Sequence, residues 1–364
     1  VRSAFGHQGQ KCSAASLGIL VGPVATDERF LRQVVDAATS LQVGPTTDPA
    51  TVFGPLVAPA TGKLLDALTV LAPGEEWLLE PRRLDADGRV WTPGIKVGVR
   101  AGSQFHRTEY FGPVLGLIAV DTLAEAIEVQ NAVDYGLTGG IHSLDPVEVD
   151  AWLDAVEVGN AYVNRAITGA VVQRQPFGGW KRSSVGVGAK AGGPDYLLQL
   201  GTWAPSTDLS EVDAAELASA DDAWWEDHYG IPHDPTGLFC EANVLRYRPL
   251  PDLVVRVGSG ATTAEVDRVL AASERCGVVP LVSRATVDDD ATFAGTLSAH
   301  RFGRIRAVGF VSELIRRAAI AAEVDLVDEA VTASGRLELR HHLREQAVSR
   351  TLHRFGNLVS AGDD

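Results

Sequence analysis

The stretch "VLGLIAVDTLAEAIEVQNAVDYG", residues 114–136, decides the fold. Its first part, 114–120, is apolar throughout and reads as a strand buried on both faces. Thr122 and Glu125 then stand at the spacing of a capping box, and apolar positions recur at helical intervals through "TLAEAIEVQNA". A strand running straight into a capped helix is one βα unit, and working outward from it the unit repeats. Downstream, "GGIHSL" (139–144) reads as a strand, "DPVEVDAWLDAV" (145–156) as a helix with Pro146 in its first turn, and "NAYVNR" (160–165) as a strand. Upstream, the apolar run 17–21 reads as a buried strand. The following "TDERFLRQVVDAATSL" is a helix capped by Thr26, with Phe30, Leu31, Val34, Val35, Ala38 and Leu41 on one face. Strands alternating with helices of about ten to fifteen residues imply an α/β protein with a largely parallel sheet.

The rhythm breaks after Trp203, where "STDLSEVDAAELASADDAWWED" carries eight acidic residues and no basic one. This segment reads as a linker or a solvated surface helix, with Trp224 and Trp225 as anchors docked on a neighbouring domain. A second α/β alternation follows, with strands expected at 253–257, 278–283, 305–310 and 324–328, a spacing that suits a small doubly wound domain. The organisation expected is therefore a first domain over 1–204, an acidic linker over 205–237 and a smaller Rossmann-like domain over 238–364.

Composition narrows the function. The 364 residues are 45% apolar with 37 glycines, as in a globular protein, and the net charge of −15 argues against a nucleic-acid partner. Cys12, Cys240 and Cys276 are far apart and form no CxxC, so neither a disulfide framework nor a metal site is expected, and a reducing cytoplasm fits best. No apolar run reaches the roughly 18 residues of a membrane span. The chain has no methionine and opens on Val1, which reads as the C-terminal piece of a longer polypeptide.

One cysteine is presented unusually. "FGHQGQKCSAAS", residues 5–16, sets Cys12 after a glycine- and glutamine-rich turn, next to Lys11 and ahead of small residues. Backbone amides and a neighbouring cation are what turn a thiol into a nucleophile, while an ordinary free cysteine is a small core hydrophobe.

These residues closely resemble the nucleophile signature of aldehyde dehydrogenases. "TEYFGPVLGLI" (108–118) is similar to that family's glutamate, phenylalanine, glycine, proline segment, and "QPFGGWKRSSVGVGAKAGGPDYL" (175–197) to its late PFGG loop. All three occur in family order over roughly the first two hundred residues. The resemblance implies a catalytic domain with an oligomerisation hairpin, for which "EEWLLEP" with "RVWTPGIKVGV", or the segment leading into "LLQLGTW", are candidates. It implies that Cys12 attacks an aldehyde, with its own amide on the oxyanion. Glu109 would bind the ribose of the nicotinamide cofactor NAD, and Phe111 would pack at that end of it.

Within the family, "GAKAGGPDYL" and "ITGAVVQRQPFGG" look most like Δ1-pyrroline-5-carboxylate dehydrogenases, which oxidise glutamate γ-semialdehyde to glutamate. That likeness implies Ser13 and the loop amides of Gly169 and Ala170 as grips for the substrate carboxylate, and Phe177 as a wall for its aliphatic part. The region after residue 204 resembles the end of bifunctional proline-catabolic proteins, where it serves as a structural lid or interface. In keeping with this, "VRVGSGATTAEV" (255–266) lacks the third glycine of a dinucleotide fingerprint.

The same likeness sets the nucleotide-binding fold, a cofactor lysine, the oxyanion asparagine and the glutamate that activates water upstream of the cysteine. The chain alone is thus expected to be inactive. An upstream part of the same polypeptide is an expected partner, and FAD would belong only to a proline dehydrogenase domain there. A homo-oligomer is expected; NAD and NADP are not separated by these residues. The competing readings are a dehydrogenase for another small aldehyde and a non-catalytic assembly module.

Overall fold

A computed structural model describes residues 1–354 and 357–358. The final residues of the Rossmann-like domain expected to reach 364 lie outside the described residues. The chain divides into two compact units, Val1–Ala170 and Val171–Asp364.

The first unit opens with a one-turn helix α1 (Arg2–Phe5), then β1 (Leu17–Val21) and α2 (Glu28–Thr39). The cap of α2 is Asp27, whose carboxylate accepts from Arg29 N at 2.8 Å and Phe30 N at 3.1 Å, and not Thr26 as the sequence suggested. A charged acceptor one residue closer to the first free amides is the stronger cap. Next come α3 (Gly62–Thr69), β2 (Glu76–Leu79), β3 (Gly94–Val97), α4 (Gln104–Arg107), β4 (Val114–Val120) and α5 (Leu123–Asn131). They are followed by β5 (Tyr135–Gly136), β6 (Thr138–Ile141), α6 (Pro146–Ala155) and β7 (Asn160–Val163). The Thr122/Glu125 capping box forms as expected, with both reciprocal bonds present.

The sheet runs β1-β4-β3-β2, with β1, β4 and β3 parallel and β2 antiparallel at the edge. β2 and β3 are the first of the two candidate oligomerisation arms. They are built into this sheet instead of projecting, because β3 pairs β4 through Gly94–Lys96 and buries Ile95 completely. Leu31 and Val34 of α2, with Leu41 just beyond its end, pack into the cluster of Phe5, Phe53, Ile95, Leu115 and Leu117.

In the second unit the described strands are β8 (Trp180–Lys181), β9 (Glu241–Pro249), β10 (Leu253–Val257), β11 (Leu281–Arg284), β12 (Arg304–Val308), β13 (Asp325–Val327), β14 (Leu343–Thr351), β15 (His353–Arg354) and β16 (Asn357–Leu358). Its helices are α7 (Ala214–Trp224), α8 (Thr263–Arg275), α9 (Asp290–Ala299), α10 (Glu313–Ala321) and α11 (Gly335–Leu339). β11-β10-β12-β13 is an all-parallel doubly wound sheet, and β9 and β14 form an antiparallel pair in continuous register from Glu241↔Thr351 to Pro249↔Leu343.

The acidic segment contributes α7. Asp221 there is buried and forms a two-pronged pair with Arg268 of α8, both bonds 2.7 Å. Trp224 and Trp225 pack on the core of this same unit, under the guanidinium groups of Arg336 and Arg275. Doubly wound sheets take ligands at the turns leaving their strands. Here the turns after β10 and β12 close on each other: Gly258 N donates to Val308 O and Phe310 N to Ser259 O, both at 2.8 Å. A Cβ on Gly258 would overlap the Phe310 carbonyl. Among the described residues no helix is long and apolar enough to cross a membrane.

Candidate active site

Parallel register creates the site in the first unit. Leu17 of β1 lies opposite Gly116 of β4, and Gly116 N donates to Ser16 O at 3.0 Å. The segments entering these two strands therefore run side by side at one edge of the sheet. Cys12 precedes Leu17 by five positions and Glu109 precedes Val114 by five, so adjacent entry segments carry both.

The turn before Cys12 is built from three successive left-handed residues, His7 (φ 51°), Gln8 (φ 60°) and Gly9 (φ 68°). The first two have side chains and bear the steric cost of that region, about 1–2 kcal/mol each. Gly9 is fixed by packing as well as by φ: a Cβ there would overlap the Gly112 carbonyl of the neighbouring segment. The glycine thus permits a close approach of protein backbone. We expect Gly9→Ala to destabilise the unit by about 2–4 kcal/mol, read as a shift in the urea midpoint; an unchanged midpoint would contradict this packing.

Gln10 completes the junction. Its Nε2 donates to Phe111 O at 3.2 Å and its Oε1 accepts from Val57 N at 2.9 Å. Phe111 is itself left-handed (φ 56°) and its ring is 41% exposed. A bulky residue held in that region is a strained feature of the kind that collects at functional sites. Lys11, Ala14, Ala15 and Ser16 line one shallow recess with Glu109 and Phe111. Cys12, between those flanking residues in sequence, is exposed, as is Glu109.

Ser13, by contrast, is buried. Gly169 (φ 82°) and Ala170 are exposed, and the loop that carries them starts at a shared post: Ser3 Oγ accepts from Ile167 N at 3.2 Å, while Ser3 O accepts from Ala15 N at 2.9 Å. One residue of α1 thereby ties both the segment after the cysteine and the start of the 167–170 loop. Phe177 belongs to the second unit, where it exchanges two backbone bonds of 3.0 Å with Ala191. Ser3 and Gln10 were not legible as site residues. Gln10 stands inside the quoted cysteine motif, but only its partners 47 and 101 positions away reveal its use.

The three cysteines now differ in kind. Cys276 is buried, donates toward Leu339 O at 3.7 Å, and burial pushes its thiol far above the ordinary range. Cys240 and Cys12 are exposed.

An exposed cysteine thus ends a glycine-bridged left-handed turn beside a strained Glu-Tyr-Phe-Gly segment. The aldehyde dehydrogenase family profile matches residues 1–202, and the chain belongs to that family. Among its curated relatives, 1-pyrroline-5-carboxylate dehydrogenase of Geobacillus sp. (strain WCH70) is 35% identical over 199 residues, and that of Staphylococcus haemolyticus (strain JCSC1435) 39% identical over 205. Each match covers 54% of this chain and 38% of the relative, so the chain spans well under half of these proteins. Among solved structures, Proline Utilization A from Corynebacterium freiburgense is similar over 98% of this chain and 37% of its own, at 46% identity and a TM-score of 0.87. This likeness takes in the second unit along with the first.

Proposed function

We propose that this chain carries the nucleophile, part of the cofactor site and part of the substrate site of an NAD-dependent dehydrogenase that oxidises L-glutamate γ-semialdehyde to glutamate in proline catabolism. The observation that carries the reading is the exposed Cys12 locked through Gly9 and Gln10 to the segment of Glu109 and Phe111. The relatives' names and the residues of the three motifs support the substrate.

In this reading Cys12 Sγ adds to the aldehyde carbon, and the Cys12 N–H helps hold the oxyanion of the thiohemiacetal. NAD, when bound, supplies the hydride acceptor. An exposed carboxylate and an exposed aromatic on a fixed backbone fit a nicotinamide riboside. Glu109 accepts hydrogen bonds from ribose hydroxyls, and Phe111 limits the position of the ring. Loss of hydride leaves a thioester on Cys12, and water then releases glutamate and the free thiol. Ser13, from its buried position, and the amides of Gly169 and Ala170 anchor the substrate carboxylate; Phe177 walls its methylene groups.

The remaining parts belong to the same reading. The 364-residue chain does not turn over by itself and works as the C-terminal part of a cytoplasmic homo-oligomer. A flavin-dependent proline dehydrogenase stands upstream, and the second domain has a degenerate Rossmann-like fold. The 38% span of the relatives and the match to 37% of Proline Utilization A support a longer polypeptide. The test is kcat/KM of the complete polypeptide with NAD for L-glutamate γ-semialdehyde against propionaldehyde. A preference of at least about a hundredfold is expected, because anchors built to hydrogen-bond a carboxylate reject a substrate that lacks it. Equal values would assign the site to another small aldehyde.

A further inference from the structure

We infer that Glu345, on β14 in the second unit, is a positioning residue that sets where Phe177 stands by clamping the turn 189–195. This deepens the reading of Phe177 as a substrate wall and rests on it.

The chain of contacts is short. Phe177 is held by its paired backbone bonds to Ala191, each 3.0 Å. The preceding residue, Lys190, donates its backbone N–H to Glu345 Oε2 at 2.8 Å and its ammonium to Gly178 O, so the strand pair is pinned from both sides. Trp180 Nε1 donates to Glu345 O at 2.7 Å, fixing the far end of the PFGG loop to the same residue. At the other end of the turn, the Asp195 carboxylate neighbours the Glu345 carboxyl and accepts from Tyr247 Oη at 2.7 Å. Tyr247 lies opposite Glu345 in the β9/β14 ladder, so one rung of that ladder grips both ends of the turn.

The clamp borders a small cavity lined in part by Asp195, Tyr247, Arg340 and Glu345. Asp195 Oδ1 and Arg340 Nη1 are buried there without a hydrogen-bond partner. The titratable and charged groups around the Glu345 carboxyl are Asp195 and Lys190 from the turn, Tyr247 from β9, and Arg340, which bounds the same cavity. Behind Asp195 stand His228, whose Nε2 is 3.9 Å away, and Arg336, at 4.0 Å. Tyr229 packs edge-on against Tyr247.

Two carboxyls in contact away from water share one proton. Burial, and then the neighbouring Asp195, push Glu345 up to about 8. Burial opposes the Asp195 charge, but the neighbouring His228, Tyr247 and Glu345 hold its carboxyl below the usual range. Burial also brings the Lys190 ammonium down to about 7, with Glu345 opposing. The clamp is thus intact with Glu345 protonated, and above about pH 8 two facing carboxylates push the turn away from β14.

The test uses two variants in the complete polypeptide and amide exchange at Phe177 and Ala191. Glu345→Ala is expected to raise KM for the semialdehyde about tenfold at pH 7.5 with kcat within about twofold, and to speed exchange at both amides. Glu345→Gln, which keeps a neutral acceptor for Lys190 N–H and a donor for Asp195, is expected to match wild type at pH 7.5. It should also remove the wild-type rise in KM above about pH 8. Unchanged exchange in Glu345→Ala, or a Glu345→Gln variant that keeps the alkaline rise, would overturn the clamp. Phe177→Ala separates the underlying reading: faster exchange in Glu345→Ala together with an unaltered KM in Phe177→Ala supports the clamp and removes Phe177 from the substrate site.

Discussion

Cys12→Ser is expected to lower NADH formation by the complete polypeptide at least about a thousandfold while leaving NAD affinity within about twofold. A serine hydroxyl lacks the nucleophilicity of a thiolate and cannot form the thioester through which the aldehyde carbon passes. The substitution is nearly isosteric and the site is exposed, so the fold has no reason to respond. The same asymmetry is visible in this chain without cofactor: iodoacetamide should label Cys12 at least about ten times faster than Cys240, while Cys276, buried with its thiol pushed up, should stay unlabelled until unfolding. Equal slow labelling of Cys12 and Cys240 would favour an assembly module that keeps the motif as scaffold.

The largest stability effect is expected in the second unit, at Glu338→Ala. Arg306 is fully buried on β12 and forms a two-pronged pair with Glu338 of α11, Nε to Oε1 at 2.8 Å and Nη2 to Oε2 at 2.9 Å. Its Nη1 donates to the carbonyls of Ala307 and Glu329. Removing the carboxylate strands a guanidinium in the core, at a cost of about 3–5 kcal/mol in the urea unfolding of this unit. Arg306→Met combined with Glu338→Leu should recover most of it, because the loss lies in the uncompensated charge. Burial opposes the Glu338 charge, but Arg306 and His342 hold its carboxyl well below the ordinary range. A depressed carboxyl contributes stability above its unfolded value, near pH 4.5, and that contribution is lost as the pH falls toward the folded value. The second unit should therefore lose stability on acidification below about pH 4.5, and the Glu338→Leu double variant should lose less.

What the sequence disclosed and what it hid follow from the range of each signal. Strands β1, β4 and β10 were legible to the residue because a continuous apolar run bounded by turn residues is local, and the Thr122/Glu125 box because both partners lie within one turn. The α2 cap was displaced by one because Thr26 and Asp27 are both good caps and only backbone geometry selects between them. The β2/β3 stretch reads as a hairpin on its own; that it joins a parallel sheet depends on β4, which a local pattern does not specify. The candidate site was legible as motifs, each written in a few consecutive residues. The supports of those motifs were not: Ser3 under Ile167, Gln10 between Val57 and Phe111, and Glu345 under Lys190 are ordinary polar residues whose partners are 47 to 164 positions away.

The measurement that tests the account most directly is mass analysis of the complete polypeptide, acid-quenched during turnover of L-glutamate γ-semialdehyde with NAD and digested with a protease. The account predicts a glutamyl adduct on the peptide containing Cys12, absent without NAD. Turnover with the adduct on another peptide, or with Cys12 unmodified throughout, would contradict it.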